Sequence, residues 1–288
     1  MKRVILLGLV LLGFSFISNA FATLNVVYPN VNDVGKDLFA YSVLKLALEN
    51  SGEAFNLKIR IVDANDARIR RMIQLKTISI SDFGTSPQFE KEFLPVYFPI
   101  DLGLNGWRIL LIHKDKQLEF LEIKTLDDLK KMIAGQGLAW TDVKILENAG
   151  LRVVQAPHIT NLFRMIEKKR FDYLPLGANE AHSLLEKNLK YCQNVRVEQK
   201  LLLIYPFARF FFVHKDNKAL HDAVYKGLVR SFENGSFLKL FRSHHSNSAI
   251  FNKANLKSRK QILIQNPHLS KAFKKIPKKY FFDLNMLD

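Results

Sequence analysis

Cysteine and acidic residues are both scarce in this sequence. Cys192 is the single cysteine among 288 residues, so neither an internal disulfide nor a cysteine-based zinc site can form. The 27 Asp and Glu are outnumbered by 43 Lys and Arg, which gives a formal net charge of +16. Residues 235–282 contain no acidic residue and 11 Lys or Arg. The positive charge is therefore concentrated towards the C-terminus.

Sequence motifs of common enzymes and cofactor sites are also missing. The chain has no His-Glu-x-x-His, no Gly-x-Ser-x-Gly and no Walker loop. Gly135-Gln136-Gly137 begins like a dinucleotide fingerprint, but Trp140 stands where the third glycine belongs. His244-His245 is better explained as a solvated helix end than as a metal ligand pair. We therefore predict no catalytic residue, no cofactor and no metal.

Long apolar runs occur only at the N-terminus. Lys2 and Arg3 precede an apolar run over residues 4–16, and small residues follow up to Ala22. This pattern is typical of an export signal cleaved after Ala22, so residues 1–22 are predicted to be a signal peptide and the protein periplasmic. Nucleic acid is then not an expected partner. The basic C-terminal part favours a solvated surface, with anionic lipid or a partner protein as the alternative.

The remaining sequence alternates between strand and helix patterns, and 48% of all residues are hydrophobic, enough for a large core. The first unit has strands at 24–29, 57–61 and 78–81 and a helix at 37–50. The second has strands at 109–112, 151–155 and 171–175, and helices at 159–169 and 178–188. A capping box at Thr125 and Asp128 starts a further helix, and a glycine-bearing loop at 134–142 leads into another. This order predicts two α/β lobes, each with a mixed, mostly parallel sheet flanked by helices.

A repeated segment indicates how the lobes connect. Residues 108–115 and 209–216 both consist of an Arg, four apolar residues and His-Lys-Asp. We interpret them as two crossover strands, so the chain passes between the lobes twice. Lobe 1 is then 23–107 plus 209–245, lobe 2 is 108–208, and 246–288 is a basic C-terminal extension.

The order of these elements resembles family-3 extracytoplasmic solute-binding proteins. The resemblance covers 23 to about 245 and depends on the export signal and on four segments, which are 93–96, 107–115, 169–173 and 233–241. It implies the type II periplasmic-binding-protein fold, with one small polar ligand enclosed between the lobes. It also implies a non-enzymatic monomer that delivers the ligand to a membrane transporter or reports it to a sensor.

The sequence departs from that family at two positions. Phe89 stands where amino-acid-binding members carry an Arg that pairs with the ligand carboxylate, which argues against an ordinary amino acid as the ligand. Asn179 and Glu180 stand near the position of an Asp that commonly holds the ligand ammonium. An exported dehydratase-like enzyme on the same scaffold is the alternative, in which Glu180 or Asp142 would be the acid.

Candidate ligand contacts cluster where strands pass into helices. Arg108 offers a bidentate fork for an anion, or else forms a hinge salt bridge. Asp142 either accepts from a ligand donor or caps the following helix, and we favour the cap. Glu180 pairs with a ligand cation or lies on a solvated helix face. The full predicted set is Tyr28, Trp107, Arg108, Gln136, Trp140, Asp142, Asn179 and Glu180.

The aromatic and amide members of this set have alternatives too. Tyr28 and Trp140 can stack on an apolar or cationic part of a ligand, or belong to the core. Trp107 lies beside Arg108 at the first crossover. Gln136, between two glycines, either approaches the ligand or belongs to a tight turn.

Overall fold

A computed structural model describes residues 23–31, 38–64, 66–138 and 140–287. The predicted export signal lies outside these residues. Among the described residues, no helix is long and apolar enough to cross a membrane. The strands are β1 (Leu24–Val31), β2 (Phe55–Val62), β3 (Ile80–Gly84), β4 (Leu94–Val96), β5 (Trp107–His113), β6 (Ile133–Gly137), β7 (Arg152–Ala156), β8 (Tyr173–Gly177), β9 (Val195–Val197), β10 (Leu201–Ile204), β11 (Arg209–Val213) and β12 (Lys260–Leu263).

The helices lie between these strands in the order that the alternating pattern predicts, and a long helix and two shorter ones follow β11. Their bounds are α1 (Phe39–Ser51), α2 (Asp66–Gln74), α3 (Pro87–Glu92), α4 (Gln117–Leu121), α5 (Leu126–Leu129), α6 (Val143–Asn148), α7 (Ile159–Glu167), α8 (Ala181–Asn188), α9 (Lys218–Glu233), α10 (Ser236–Ser243) and α11 (Ser248–Asn252).

The strands form one large sheet and two small ones. The large sheet has the order β12-β10-β5-β8-β6-β7, and β9 pairs with β5. One small sheet joins β1 to β2 in parallel, and the other has the order β3-β11-β4 with antiparallel pairs. The large sheet mixes parallel and antiparallel pairs, so the predicted mixed α/β architecture is confirmed.

The first strand is longer than its sequence indicates. We expected Pro29 to end it, but β1 continues to Val31 and Pro29 lies opposite Arg60 of β2. Proline is tolerated in a strand where its missing N–H faces away from the paired strand, and β2 is the strand that pairs with β1 among the described residues. The following helix α1 ends at Gly52, whose φ of 83° is the left-handed C-cap that Ser51-Gly52 predicted.

The predicted loop over 134–142 is wrong for residues 134–137, which include both glycines. They belong to β6, which pairs in parallel with β7 and β8. A Cβ at Gly135 would lie 2.3 Å from the ring of Phe171, and a Cβ at Gly137 would lie 2.2 Å from the ring of Trp140. The glycines therefore make room for two aromatic rings against a buried strand.

The predicted capping box is confirmed at the start of α5. The Thr125 hydroxyl accepts from the Asp128 N–H, and the Asp128 carboxylate accepts from the Thr125 N–H. The Thr125 hydroxyl also donates to Asp128 Oδ2 at 2.8 Å. This hydrogen bond first, and then the one from the Lys124 N–H, hold the pKa of Asp128 well below its ordinary range.

Helices α1 and α9 approach each other closely at Gly227. A Cβ on Gly227 would lie 1.7 Å from the carbonyl oxygen of Ala47. Ala47 and Gly227 are both buried, and the helices meet backbone to backbone at this point. The missing side chain is what allows this contact.

The basic C-terminal segment is part of the fold. Strand β12 extends the large sheet in parallel to β10, and Arg259 before it donates to the carbonyl oxygens of Glu198 and Leu201 at 2.6 and 3.1 Å. Further along, the Phe282 N–H donates to Leu102 O at 2.7 Å. Tyr280 packs on the ring of Phe98, with 4.6 Å between the centroids. The segment thus contacts both the large sheet and the region that follows β4.

Cys192 is buried, and we expect it to be unreactive in the native protein. Its thiol donates to Asn188 O at 3.1 Å, and burial, assisted by Glu167, raises its pKa to about 11. Because the thiolate is the nucleophile, iodoacetamide at pH 8 should label native protein at least ~10-fold more slowly than protein in 6 M guanidinium. Mass spectrometry follows the labelling over time. Equal labelling rates for native and unfolded protein would contradict this prediction.

Candidate functional site

A cavity of about 310 Å³ lies between the small sheets and the large sheet. The side of the small sheets contributes α2, β3 and α3, and the opposite side contributes the loop before α6 and the N-terminal part of α8. A Cβ on Gly84 would lie 2.9 Å from Thr141 Oγ1 and 2.4 Å from Phe207 Cζ, so the two sides are in contact here. The residues that line the cavity are Asp66, Arg70, Phe83, Gly84, Phe89, Asn105, Arg108, Trp140, Thr141, Asp142, Ile159, Glu180, Leu184, Phe207 and Arg209.

Arg108 and Asp142 form a buried ion pair in the wall of the cavity. The Nη2–Oδ2 distance is 2.7 Å, and each side chain is 3% exposed. Oδ2 of Asp142 also accepts from the Tyr205 hydroxyl at 3.0 Å and from Gln136 Nε2 at 3.2 Å. Burial raises the pKa of Tyr205, and the neighbouring Asp142 carboxylate raises it further. The Tyr205 hydroxyl therefore stays protonated and acts as a donor. The arrangement matches the hinge salt bridge that was the alternative for Arg108.

The preference for Asp142 as a helix cap is wrong. Asp142 is at the N-cap position of α6, but its side chain makes no capping hydrogen bond. The carboxylate is engaged with the Arg108 guanidinium instead, because a buried charge requires a close counter-charge more than a helix end requires a cap.

Glu180 completes this group from the start of α8. Its Oε1 lies 3.6 Å from Arg108 Nη1 and accepts from the Gly177 N–H at 3.2 Å. The side chain is 32% exposed, in contrast to Asp142. Glu180 is therefore an acid in the cavity wall that remains in contact with solvent.

A second ion pair, which is partly buried, joins β11 to β3, with the Arg209 side chain 35% exposed and that of Asp82 9% exposed. Arg209 donates through Nε and Nη2 to Asp82 Oδ2 at 3.0 and 2.7 Å, and the Tyr28 hydroxyl donates to the other carboxylate oxygen of Asp82. Burial raises the pKa of Tyr28, and the neighbouring Asp82 carboxylate raises it further. Tyr28 is 4% exposed, so it supports Asp82 and does not reach the cavity of about 310 Å³.

Arg70 is a partly buried cation in the wall of this cavity. Its guanidinium lies 4.3 Å above the ring of Phe89, and among the described residues it makes no hydrogen bond or salt bridge, although the Asp66 and Glu92 carboxylates attract it at longer range. Partial burial lowers its pKa from the ordinary value. The resemblance predicted an Arg in place of Phe89, and here α2 supplies a guanidinium directly above that ring.

The structure brings half of the predicted residues to the cavity wall, namely Arg108, Trp140, Asp142 and Glu180. Trp107 instead packs edge-on against Phe282, with 5.3 Å between ring centroids. Gln136 is fully buried behind Asp142. Asn179 accepts a hydrogen bond from Asn105 Nδ2 at 3.4 Å, adjacent to the wall.

Several wall residues were not predicted from the sequence, among them Asp66, Arg70, Phe83, Phe207 and Arg209. One signal for Arg209 was present, because the segment at 209–216 repeats the Arg-apolar-His pattern that drew attention to Arg108. No comparable signal marked Arg70, which stands among Arg68 and Arg71 on an exposed helix.

A cleft between helix-flanked sheets that are connected by two crossovers defines the type II periplasmic-binding-protein fold, as the sequence resemblance implied. The solved structures of similar fold confirm it at this level. No protein-family model matches the chain, and no curated protein matches its sequence.

Among these structures is an ancestral arginine-binding protein bound to arginine, with a TM-score of 0.55 and 18% identity over 77% of this chain and 98% of that one. Another is described as the basis of glutathione import in Gram-positive bacteria via GshT and the cystine ABC importer TcyBC of Streptococcus mutans (TM-score 0.56, 16% identity, 77% and 95% coverage). A third is a histidine kinase sensor domain with similarity to periplasmic binding proteins (0.57, 10%, 77% and 96%).

Proposed function

We propose that this chain is an exported solute-binding protein that encloses a small, charged metabolite between two lobes. The observation that carries the proposal is the cavity of about 310 Å³, whose walls combine Arg70, which has no salt bridge to the described residues, with the partly solvent-exposed Glu180. Such a pair suits a solute that carries both a carboxylate and an ammonium group. The names of the similar structures, which include arginine binding and glutathione import, support a solute of amino-acid or peptide type.

The lobes in this proposal are 23–107 with 209–245 and 108–208. The division is supported by the sheets, because β1 to β4 and β11 belong to the small sheets and β5 to β10 to the large one. A ligand that contacts both sides of the cavity binds the closed state more tightly and shifts the population towards it. The closed protein then meets a membrane transporter or a sensor, in the periplasm.

The proposal is tested by thermal unfolding of the purified protein with amino acids, short peptides, polyamines, organic acids and sugars. A ligand at 100 times its dissociation constant should add roughly 2.7 kcal/mol to the free energy of unfolding. Stabilisation by zwitterionic solutes alone is the expected result. A folded protein that none of these classes stabilises would contradict the proposal, and conversion of a bound compound, seen by mass spectrometry, would favour the dehydratase-like alternative.

The Glu180→Gln variant should weaken binding of an ammonium-bearing solute by roughly 10- to 100-fold, because a hydrogen bond to a charged group is worth about 1.5–3 kcal/mol. Isothermal titration calorimetry measures this. Glu186→Gln is the matched control, since Glu186 lies on the same helix, is 59% exposed and pairs with Lys253. Equal affinities of the two variants would exclude Glu180 as a ligand contact.

A further inference from the structure

A second cavity, of about 620 Å³, adjoins the first and has twice its volume. Arg70, Phe89, Trp140 and Thr141 line both cavities, so these four side chains mark the junction between them. The first cavity alone lies at the lower end of the usual size range of small-molecule sites, roughly 300–1,000 Å³, and the two together offer room for a longer ligand.

The walls of the second cavity come from three parts of the chain. The turn into α3 contributes one side, α6 contributes another, and the C-terminal segment contributes Asn266, His268 and Leu269. That segment is held in place, because Ile264 N donates to Ile204 O at 2.9 Å and Asn266 Nδ2 to Pro206 O at 2.9 Å. The C-terminal segment thus forms a fixed wall at the far end of the cleft.

The charges in the second cavity favour an anionic group. Arg70 and Lys144 make no ion pair with the residues that the structure describes, and Glu147 is the single acid among the described lining residues. His268 is hydrogen-bonded to Asn148 at 2.7 Å. The first cavity, by contrast, presents Glu180 and Asp66 beside arginines that are already paired with Asp142 and Asp82. A positive group of a ligand is therefore favoured near Glu180 in the first cavity. A negative group is favoured near Arg70 and in the second cavity.

We infer that the cleft binds a short acidic peptide of two or three residues, with its ammonium at Glu180, an acidic side chain at Arg70 and its terminal carboxylate in the second cavity near Lys144. This inference rests on the proposed function and adds to it the length and charge of the solute. Because Arg70 is stacked over Phe89, its planar guanidinium is held in place. A ligand carboxylate can then accept two hydrogen bonds from it. Trp140 offers an aromatic surface at the same junction.

The test compares glutamate, Ala-Glu and Ala-Glu-Ala with the neutral peptide Ala-Gln-Ala by isothermal titration calorimetry. We expect Ala-Glu-Ala to bind at least 10-fold more tightly than glutamate and than Ala-Gln-Ala. The Arg70→Met variant should abolish the preference for Glu over Gln, because methionine keeps the apolar contact with Phe89 but loses the fork.

Leu269→Trp fills the second cavity without touching the first. It should weaken the affinity for Ala-Glu-Ala at least 10-fold and leave the affinity for glutamate unchanged. Lys271 lies two residues further and is exposed, so Lys271→Trp should change neither affinity. Circular dichroism confirms that both variants are folded. Tight binding of single amino acids with no gain for the tripeptide would overturn this inference and leave the proposed function standing. Binding of none of these compounds would overturn the inference, and the broader thermal screen would then decide the proposed function.

Discussion

The Asp142→Ala variant should lose free energy of unfolding towards the lower end of about 3–5 kcal/mol, because it leaves the buried Arg108 guanidinium with only the more distant Glu180, 3.6 Å away, as a counter-charge. Both side chains of the Arg108–Asp142 pair are 3% exposed, so the native pair is shielded from bulk water. The change also removes the acceptor of the Tyr205 hydroxyl and of Gln136 Nε2. Urea unfolding followed by circular dichroism measures the loss.

The control is an ion pair of nearly the same length on the surface. Lys76 and Asp216 lie 2.9 Å apart with side chains 61% and 72% exposed, so Asp216→Ala should cost at most ~1 kcal/mol. The double variant Arg108→Met, Asp142→Leu should recover part of the stability, since it removes both buried charges. Equal losses for Asp142→Ala and Asp216→Ala would show that burial of the first pair does not matter.

Gly227→Ala should destabilise the protein by about 1–3 kcal/mol, towards the upper end of the range for overpacking. The added methyl would lie 1.7 Å from a carbonyl oxygen and 2.6 Å from the carbonyl carbon of Ala47, and backbone atoms cannot move aside as a side chain can. Helix propensity alone predicts the opposite sign, a gain of about 1 kcal/mol. The sign of the measured change thus distinguishes packing from propensity.

Lys226→Ala is the matched control for this helix. Lys226 precedes Gly227, is 45% exposed and lies 3.6 Å from Glu53, so its replacement should change the free energy of unfolding by less than about 1 kcal/mol. A stabilised Gly227→Ala variant would mean that α1 and α9 can separate without loss.

Sequence periodicity predicted most of the strands and helices because their apolar residues alternate as packing requires. Helix α1 ends at the predicted glycine, and the capping box at Thr125 forms as its spacing indicates. The strand at Gly135 and Gly137 was missed because its glycines serve ring packing from Phe171 and Trp140. Such contacts between distant parts of the chain leave no local pattern.

The site was predicted only in part, for a similar reason. Asp142 and Glu180 stand at strand-to-helix passages and Arg108 at the start of the first crossover strand, where position along the chain is informative. Arg70 stands in the middle of a helix, and its placement above Phe89 depends on how α2 packs against α3. The pairing of Asp142 with Arg108 likewise depends on tertiary structure, which a helix-start pattern does not contain.

The C-terminal segment adds two further connections across the cleft. The chain passes from α11 to β12 in the large sheet, and after β12 it returns to pack Tyr280 against Phe98 beyond β4. Under the proposed function, in which the two halves close on a solute, we expect these added connections to limit how far the halves swing apart. Less conformational freedom would then be lost when a solute is captured.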